Sequence, residues 1–396
     1  MNFDVSYDVV VAGGGIAGVA AAVQAARSGK KTALVEKTVL FGGLATTGLV
    51  YIYLPLCDGN GHQLTYGLSE ELLQLSMEYG PGKVDPNWKN TRNGAERQRY
   101  RCAFSPAAFI LAIDELLEKN GVDIWLDTLV CDTEVTDGRV SAIQVENKSG
   151  RGRMRAKCFV DATGDADVIR RAGIPCHDEI NFLAMWDVEY DTQAKDSELS
   201  PNVLVRMDGV PWDPEDPVTK NGNMFRGLTG RITSEFVMKG RRLLREYYRA
   251  SRAKGRSRND LYPLKVPAMP QFRKTYSLDA AYVLDGGENN KHFDDSIGLV
   301  GDWRVSGPAW EIPYRTLYPA NGVGGVLAAG RCTGSKGDAW EVTRVIPVAA
   351  LTGQVAGLAA AMSIDAKVQP KDLPVNRLQA ELRKLNIPLH LPEVGL

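Results

Sequence analysis

The chain has 396 residues, 44% hydrophobic and 24% charged, with a formal net charge of −1. A chain of this size buries a large core and fills two or three domains, and near-neutral charge excludes a global pull toward nucleic acid or anionic membrane. Six widely spread cysteines with no CxxC pair, and an N-terminal apolar stretch interrupted by glycines, argue against a redox dithiol, a cysteine metal knuckle, an export signal and a membrane span; reduced thiols in a cytoplasm are expected.

Val9-Val10-Val11-Ala12 runs straight into Gly13-Gly14-Gly15-Ile16-Ala17-Gly18, and Glu36 closes the next apolar run, Thr32-Ala33-Leu34-Val35. Strand, glycine turn, helix, strand and acid together form a dinucleotide site. Gly13 makes the tight turn, Gly15 lets the backbone approach a pyrophosphate, Gly18 lets helix pack on strand, and Glu36 accepts ribose hydroxyls. Phe41-Gly42-Gly43-Leu44-Ala45-Thr46 follows, a small and flexible run able to lie against a flat or phosphorylated ligand. From about residue 56 to 101 the pattern loosens into an excursion from the core, with a helix near its start.

Ser105-Pro106 then caps an apolar-faced helix, strands are expected at 122–126, 129–135, 140–146 and 154–160, and the last of these ends at Asp161-Ala162-Thr163-Gly164. Residues 181–310 change character, with alternating segments, a proline-rich connection and a basic helix whose charged face is expected to be solvated; they read as an inserted α+β substrate cap with an antiparallel sheet. Residues 1–180 and 311–396 read as one discontinuous α/β nucleotide domain of Rossmann-like, three-layer type. Near the C-terminus Leu327-Ala328-Ala329-Gly330-Arg331 is a buried strand ending in glycine, and Arg344-Val345-Ile346-Pro347 opens a small-residue helix carrying Gly353 and Gly357. A helix N-terminus there would stabilise negative charge on a reduced flavin ring, which turns a generic dinucleotide into FAD.

These blocks resemble the FAD-dependent oxidoreductases whose FAD domain is glutathione-reductase-like. The resemblance implies non-covalent FAD, with Gly13, Gly15, Ile16, Ala17 and Gly18 at the pyrophosphate and Glu36 and Lys37 at the adenosine ribose. It further implies Gly42, Gly43, Leu44, Ala45 and Thr46 along the pyrophosphate and ring, Val130 at the adenine, and Ala162, Thr163 and Gly164 at the nucleotide. Gly330 and Arg331 would lie by the ribityl chain, and Val345 and Ile346 under the pyrimidine edge. Many relatives carry a histidine before the terminal helix; Lys336, Asp338, Trp340 and Glu341 stand here instead, so roles tied to that histidine do not transfer.

In the flavin reading, a hydride passes between N5 and a C–H beside a hydroxyl or amine of a small polar substrate. Glu341 is the candidate acid/base, or equally half of an ion pair with Arg344. Arg273 and Tyr276 are candidates for binding a polar or anionic substrate, Arg344 for compensating reduced-flavin charge, and Trp303 and Trp340 for walling the pocket. An NADH-driven reductase of an activated C=C bond, and a hydratase, lyase or isomerase with structural FAD, are the alternatives; an electron acceptor or NAD(P)H is the expected partner besides the substrate. The four histidines lack metal-ligand spacing with one another, and no metal is expected.

Overall fold

The first strand has apolar side chains on both faces, so it must be covered on both. In β1 (Phe3–Ala12), Val9 and Val11 enter one core cluster while Val10 and Ala12 enter another. The computed structural model describes residues 1–89 and 99–396. In chain order the nucleotide portion continues with α1 (Ile16–Arg27), β2 (Thr32–Val35), α2 (Pro106–Lys119), β3 (Asp123–Trp125), β4 (Leu129–Thr136), β5 (Arg139–Asn147) and β6 (Gly150–Asp161). As expected, the Ser105 hydroxyl caps α2 by accepting from the Ala108 N–H at 3.4 Å.

Part of the expected excursion at 56–101 falls outside the described residues. The part that is described includes the helix Leu68–Leu75.

The cap follows: β7 (Ala184–Asp191), β8 (Val203–Gly209), α3 (Gly230–Ala253) and β9 (Leu261–Lys265), with β7 pairing antiparallel to both β8 and β9. One side of α3 buries Phe236, Gly240 and Leu244, and Tyr248 Oη donates to Asp187 Oδ2 (2.7 Å) and Glu189 Oε2 (2.9 Å) on β7. Its Arg241, Arg242, Arg245 and Arg249 are exposed, the solvated basic face the sequence leads one to expect. Residues 271–278 form a strand only at Ser277–Leu278, and the preceding backbone is held by a side chain: Asn181 Oδ1 accepts from the N–H groups of both Arg273 (2.7 Å) and Lys274 (2.8 Å).

The chain finishes with β10 (Ser296–Gly301), β11 (Ala309–Pro313), β12 (Val326–Ala328), α4 (Ile346–Ala366) and α5 (Val375–Lys384). The β10–β11 hairpin packs with the nucleotide portion rather than the cap sheet: Ile297, Val300, Trp310 and Ile312 join the cluster containing Leu351 and Leu378.

The main sheet has seven strands. β3, β2, β1, β6 and β12 run parallel in that spatial order, and β6 also begins an antiparallel meander with β5 and β4. Helices α1, α2 and α4 cover one face and the meander covers the other, giving the three-layer α/β fold the sequence led us to expect. Four parallel strands therefore end at one edge, at Ala12, Val35, Asp161 and Ala328, which is where an open α/β sheet binds ligands. Helix α4 is long and apolar enough to cross a membrane, yet 83% of its most apolar window is buried inside the protein, as in a core helix.

What brings α4 close enough is the absence of two side chains. A Cβ on Gly353 would lie 2.1 Å from the Ala17 carbonyl oxygen, and one on Gly357 would lie 2.2 Å from that of Ala21. Gly18 does the same for α1, its Cβ direction pointing 1.8 Å from the Gly13 oxygen. We expect Gly357→Ala to lower stability by about 3 kcal/mol through overpacking against backbone. Gly230→Ala, whose Cβ meets nothing within 4 Å, should change stability by less than ~0.5 kcal/mol. Chemical denaturation of the two variants against wild type checks both.

Candidate flavin site and its adjoining cavity

A groove of about 770 Å³ of empty space runs along the strand ends. Its floor is the glycine turn at Gly13 and Gly15 with Ile16 and Ala17 of α1; Glu36 and Lys37 close one end, and Gly42, Gly43, Leu44 and Ala45 form a side. The opposite wall is Ala162, Thr163 and Gly164 after β6, with Gly330 and Arg331 after β12. At the far end stand Arg344 and Ile346, where α4 begins. A Cβ built on Gly15 would meet no atom within 4 Å, so that glycine faces the groove's open space, whereas Gly18 is packed against Gly13 and does not line it. A smaller recess beside the Glu36 end is lined by Val130 with Thr128, Leu129 and Asp167.

The Glu36 carboxylate is buried and already accepts from Gly14 N–H (2.8 Å) and Thr38 N–H (2.8 Å). One oxygen bond from each backbone group fixes the carboxylate while leaving further lone pairs for hydroxyl donors. Thr46 is turned inward: it is fully buried, its hydroxyl donates to the Phe41 carbonyl, and its neighbour Thr47 lines the groove instead. The Thr46 side chain thus shapes the Gly42–Gly43 turn and does not line the groove. Sequence reading had no means of telling the two threonines apart.

Behind the wall lies a buried charge network. Arg331 donates from Nη2 to Asp165 Oδ1 at 2.8 Å, and Thr275 Oγ1 donates to the same oxygen at 2.9 Å. A Cβ on Gly164 would fall 2.6 Å from Arg331 Nε, so only glycine leaves room for this guanidinium. Upstream, Asp161 is fully buried and its carboxylate accepts from the N–H groups of Thr163, Val168 and Ile169 and from the Thr163 hydroxyl. It ties the end of β6 to the short helix that follows.

The groove opens at its α4 end into a second, more apolar cavity. Leu44, Arg331, Arg344 and Ile346 belong to both; Val50, Ile52, Leu54, Met207, Trp186, Trp212, Trp303, Arg101, Arg273 and Val345 complete the second. Trp212 packs edge-on to Trp303 at 6.5 Å between ring centres, and the Arg344 guanidinium lies 5.9 Å from the Trp303 ring centre. Val345 and Ile346 stand at the start of α4, Ile346 in both cavities and Val345 in the second. Trp186, Trp212 and Arg101 went unnoticed in the sequence. The alternation around Trp186 marks a strand but not which cavity its side chain meets.

Two candidates stand elsewhere. Tyr276 lies outside both cavities: its hydroxyl accepts from Leu228 N–H at 3.3 Å and the Arg170 guanidinium covers its ring at 3.7 Å. Trp340 is core, donating from Nε1 to the Arg331 carbonyl at 2.9 Å. Glu341 stands behind Arg344 rather than in a cavity wall, its Oε2 accepting from Arg344 Nε at 3.0 Å and its Oε1 facing Lys274 Nζ at 3.0 Å. Burial pushes its carboxyl up, but Arg344 and Lys274 outweigh that and hold it below the usual glutamate range. It therefore stays ionised and holds Arg344, the arrangement of the ion-pair alternative.

The histidines also differ from expectation. His292 and His390, far apart in sequence, converge on the buried Glu311, with one ligand atom from each of the three within 4.8 Å of the others. The Glu311 carboxylate also accepts from Phe293 N–H (2.8 Å) and Leu391 N–H (3.1 Å), so it fastens the C-terminal tail to β11.

Removing the Glu341 charge leaves Arg344 and Lys274 sharing a buried site without it. We expect Glu341→Gln to cost about 2–3 kcal/mol. Because the folded-state carboxyl is held below its unfolded value of about 4.3, the pair's contribution is present above that pH and is lost as pH falls through the lower folded value. The wild-type advantage over Glu341→Gln should accordingly shrink on acidification, as read by denaturation midpoints between neutral pH and pH 3.

The chain matches the FAD dependent oxidoreductase family over residues 8–210 and 219–382. It is 43% identical over 77 residues to a thioredoxin reductase of Ureaplasma parvum, covering 19% of this chain and 25% of that protein. It is 28% identical over 174 residues to a digeranylgeranylglycerophospholipid reductase of Picrophilus torridus, covering 43% of each. The chain thus spans less than half the length of these curated relatives. Among solved structures, a geranylgeranyl bacteriochlorophyll reductase-like protein from Thermoplasma acidophilum is 14% identical with a TM-score of 0.49, covering 96% of this chain and 84% of that one. Glycine-walled groove, buried carboxylate at its end and family match agree: the chain belongs to the FAD dependent oxidoreductase family, and its cofactor is FAD.

Proposed function

We propose that the protein transfers a hydride between flavin N5 and a carbon of a small polar organic molecule held in the Trp186–Trp212–Trp303 cavity, at a C–H beside a hydroxyl or amine. The observation that carries this reading is the continuity of that cavity with the groove at Leu44, Arg331, Arg344 and Ile346. FAD, when bound, supplies the two-electron acceptor or donor. The protein's share is to hold, orient and dry the substrate and to set the charge around it. Apolar walls exclude water, Arg344 is held by Glu341 at the junction, and the first turn of α4, with Pro347 inside it, offers backbone N–H groups there.

A second reading draws support from the same wall. Among the described residues lining this cavity there is no carboxylate and no histidine, while Arg101, Arg273, Arg331 and Arg344 all contribute to it. Alcohol oxidation would then pass its proton to water, whereas reduction of a C=C bond conjugated to a carbonyl or carboxylate gains directly from cations that stabilise the charge developing on that oxygen. Reductive names among the relatives, on partial coverage, point the same way.

Anaerobic stopped-flow spectroscopy separates the two. Bleaching of the oxidised flavin band by hydroxy or amino acids supports oxidation; bleaching by NADH and recovery with an enoate supports reduction; turnover with no change of flavin redox state overturns both. FAD dependence has its own test. Because the Gly15 Cβ direction points into open groove, Gly15→Ala should leave the stability of the flavin-free protein unchanged within ~0.5 kcal/mol. It should nevertheless weaken FAD at least tenfold, about 1.4 kcal/mol, in a fluorescence titration.

A further inference from the structure

Four cations stand together here: Arg273 in the cavity, Arg331 and Arg344 in both cavity and groove, and Lys274 behind Arg344 at Glu341. Three carboxylates answer them. Asp165 pairs with Arg331 at 2.8 Å, Glu341 with Arg344 and with Lys274, and Glu179 with Lys274 at 2.7 Å. Arg273 is left over. Among the described residues no carboxylate lies within ion-pairing distance of it, and of its five N–H donors one is used, by Nη1 to the Gln271 carbonyl at 3.0 Å. Burial, then the nearby guanidiniums of Arg344 and Arg331, push it down to about 9, so it remains charged at neutral pH without a counter-ion.

The same wall holds a second unspent donor. The buried Nε1–H of Trp186 has no acceptor among the described residues, and Trp186 lines the cavity together with Arg273. Buried donors are almost always satisfied, and a half-buried guanidinium with no counter-ion is costly enough that its partner is expected to arrive with the ligand. Around these donors the surface is apolar and flat: Trp186, Trp212, Trp303, Leu44, Val50 and Ile52.

We propose that the substrate is an amphipathic monocarboxylate, with its carboxylate taken bidentately by Arg273 and a planar aromatic or unsaturated body lying among Trp186, Trp212 and Trp303. This rests on the reading of the cavity as the substrate site. One surplus positive charge matches one carboxylate; a phosphate monoester would bring nearly two negative charges to a site whose other cations are already paired. Both redox directions accommodate such a substrate. A hydroxy or amino acid presents its C–H next to the carboxylate, and an enoate presents its double bond there.

The test uses the FAD-loaded protein, with 3-phenylpropanoate, its neutral amide 3-phenylpropanamide and phenyl phosphate as probes. Binding is read from tryptophan fluorescence and the flavin difference spectrum. The carboxylate should bind at least tenfold tighter than the amide and tighter than the phosphate. In Arg273→Gln that preference should fall to about unity, and Arg273→Lys, which keeps the charge but loses the fork, should lie between. Flavin stoichiometry and midpoint potential are measured alongside. Equal binding of acid and amide overturns the proposal, as does an Arg273→Gln variant that keeps the preference. A variant that only shifts the flavin potential overturns it too, since the surplus charge would then serve the reduced ring. Tighter phosphate binding overturns the monoanion. A protein that takes up no FAD fails the flavin assignment instead, and carboxylate preference in the flavin-free protein, read by tryptophan fluorescence alone, still decides this proposal separately.

Discussion

The site depends on two helices being allowed to touch through bare backbone. Gly353 and Gly357 of α4 lie over the carbonyls of Ala17 and Ala21 in α1, four residues apart on each helix, so one helical ridge sits in the groove of the other. The contact is locked by polar groups: Gln354 Nε2 donates to Gln24 Oε1 at 2.9 Å, its Oε1 accepts from Leu68 N–H at 2.8 Å, and Thr352 Oγ1 accepts from Gly330 N–H at 2.9 Å. Because α1 begins on the floor of the flavin groove and α4 begins at its far end, this one contact sets the distance between the glycine turn and the start of α4.

Local sequence carries most of this. Val9 to Gly18 must be strand, turn and helix, and the small residues of α4 must face something close; strands β4, β5 and β6 appear in the chain as alternation bounded by turns. What was not legible depends on tertiary direction. Thr46 and Thr47 are adjacent, but only packing decides which one meets the groove. Glu341 and Arg344 are one helical turn apart, a spacing that fits an ion pair and an acid/base equally; Arg344, joined by Lys274 arriving from the cap, holds the carboxylate ionised in the fold.

The cavity wall was least legible. Arg273 and Tyr276 read alike as partners for a polar or anionic substrate, but Tyr276, three residues on, is carried away by the strand Ser277–Leu278 and spends its hydroxyl on Leu228. Trp186, Trp212 and Trp303 come from three separated stretches, and no pattern of spacing relates them. Likewise the meeting of His292 and His390 at Glu311 is made by the C-terminal tail folding back on β11, an event with no signature at either histidine.

The double pairing of Glu341 bears on how a substrate gets in. One of its oxygens serves Arg344 at the start of α4 and the other serves Lys274, whose chain neighbours lead into the cap. Parting Lys274 from Glu341 would break one link of a buried network in which Glu341 also holds Arg344 and Lys274 also holds Glu179. At the rim, by contrast, Arg101 and Glu198 form an exposed pair beside the aromatic chamber. Solvated side chains there can part at little cost. The buried pairing of Glu341 thus resists rearrangement where the rim pairing yields.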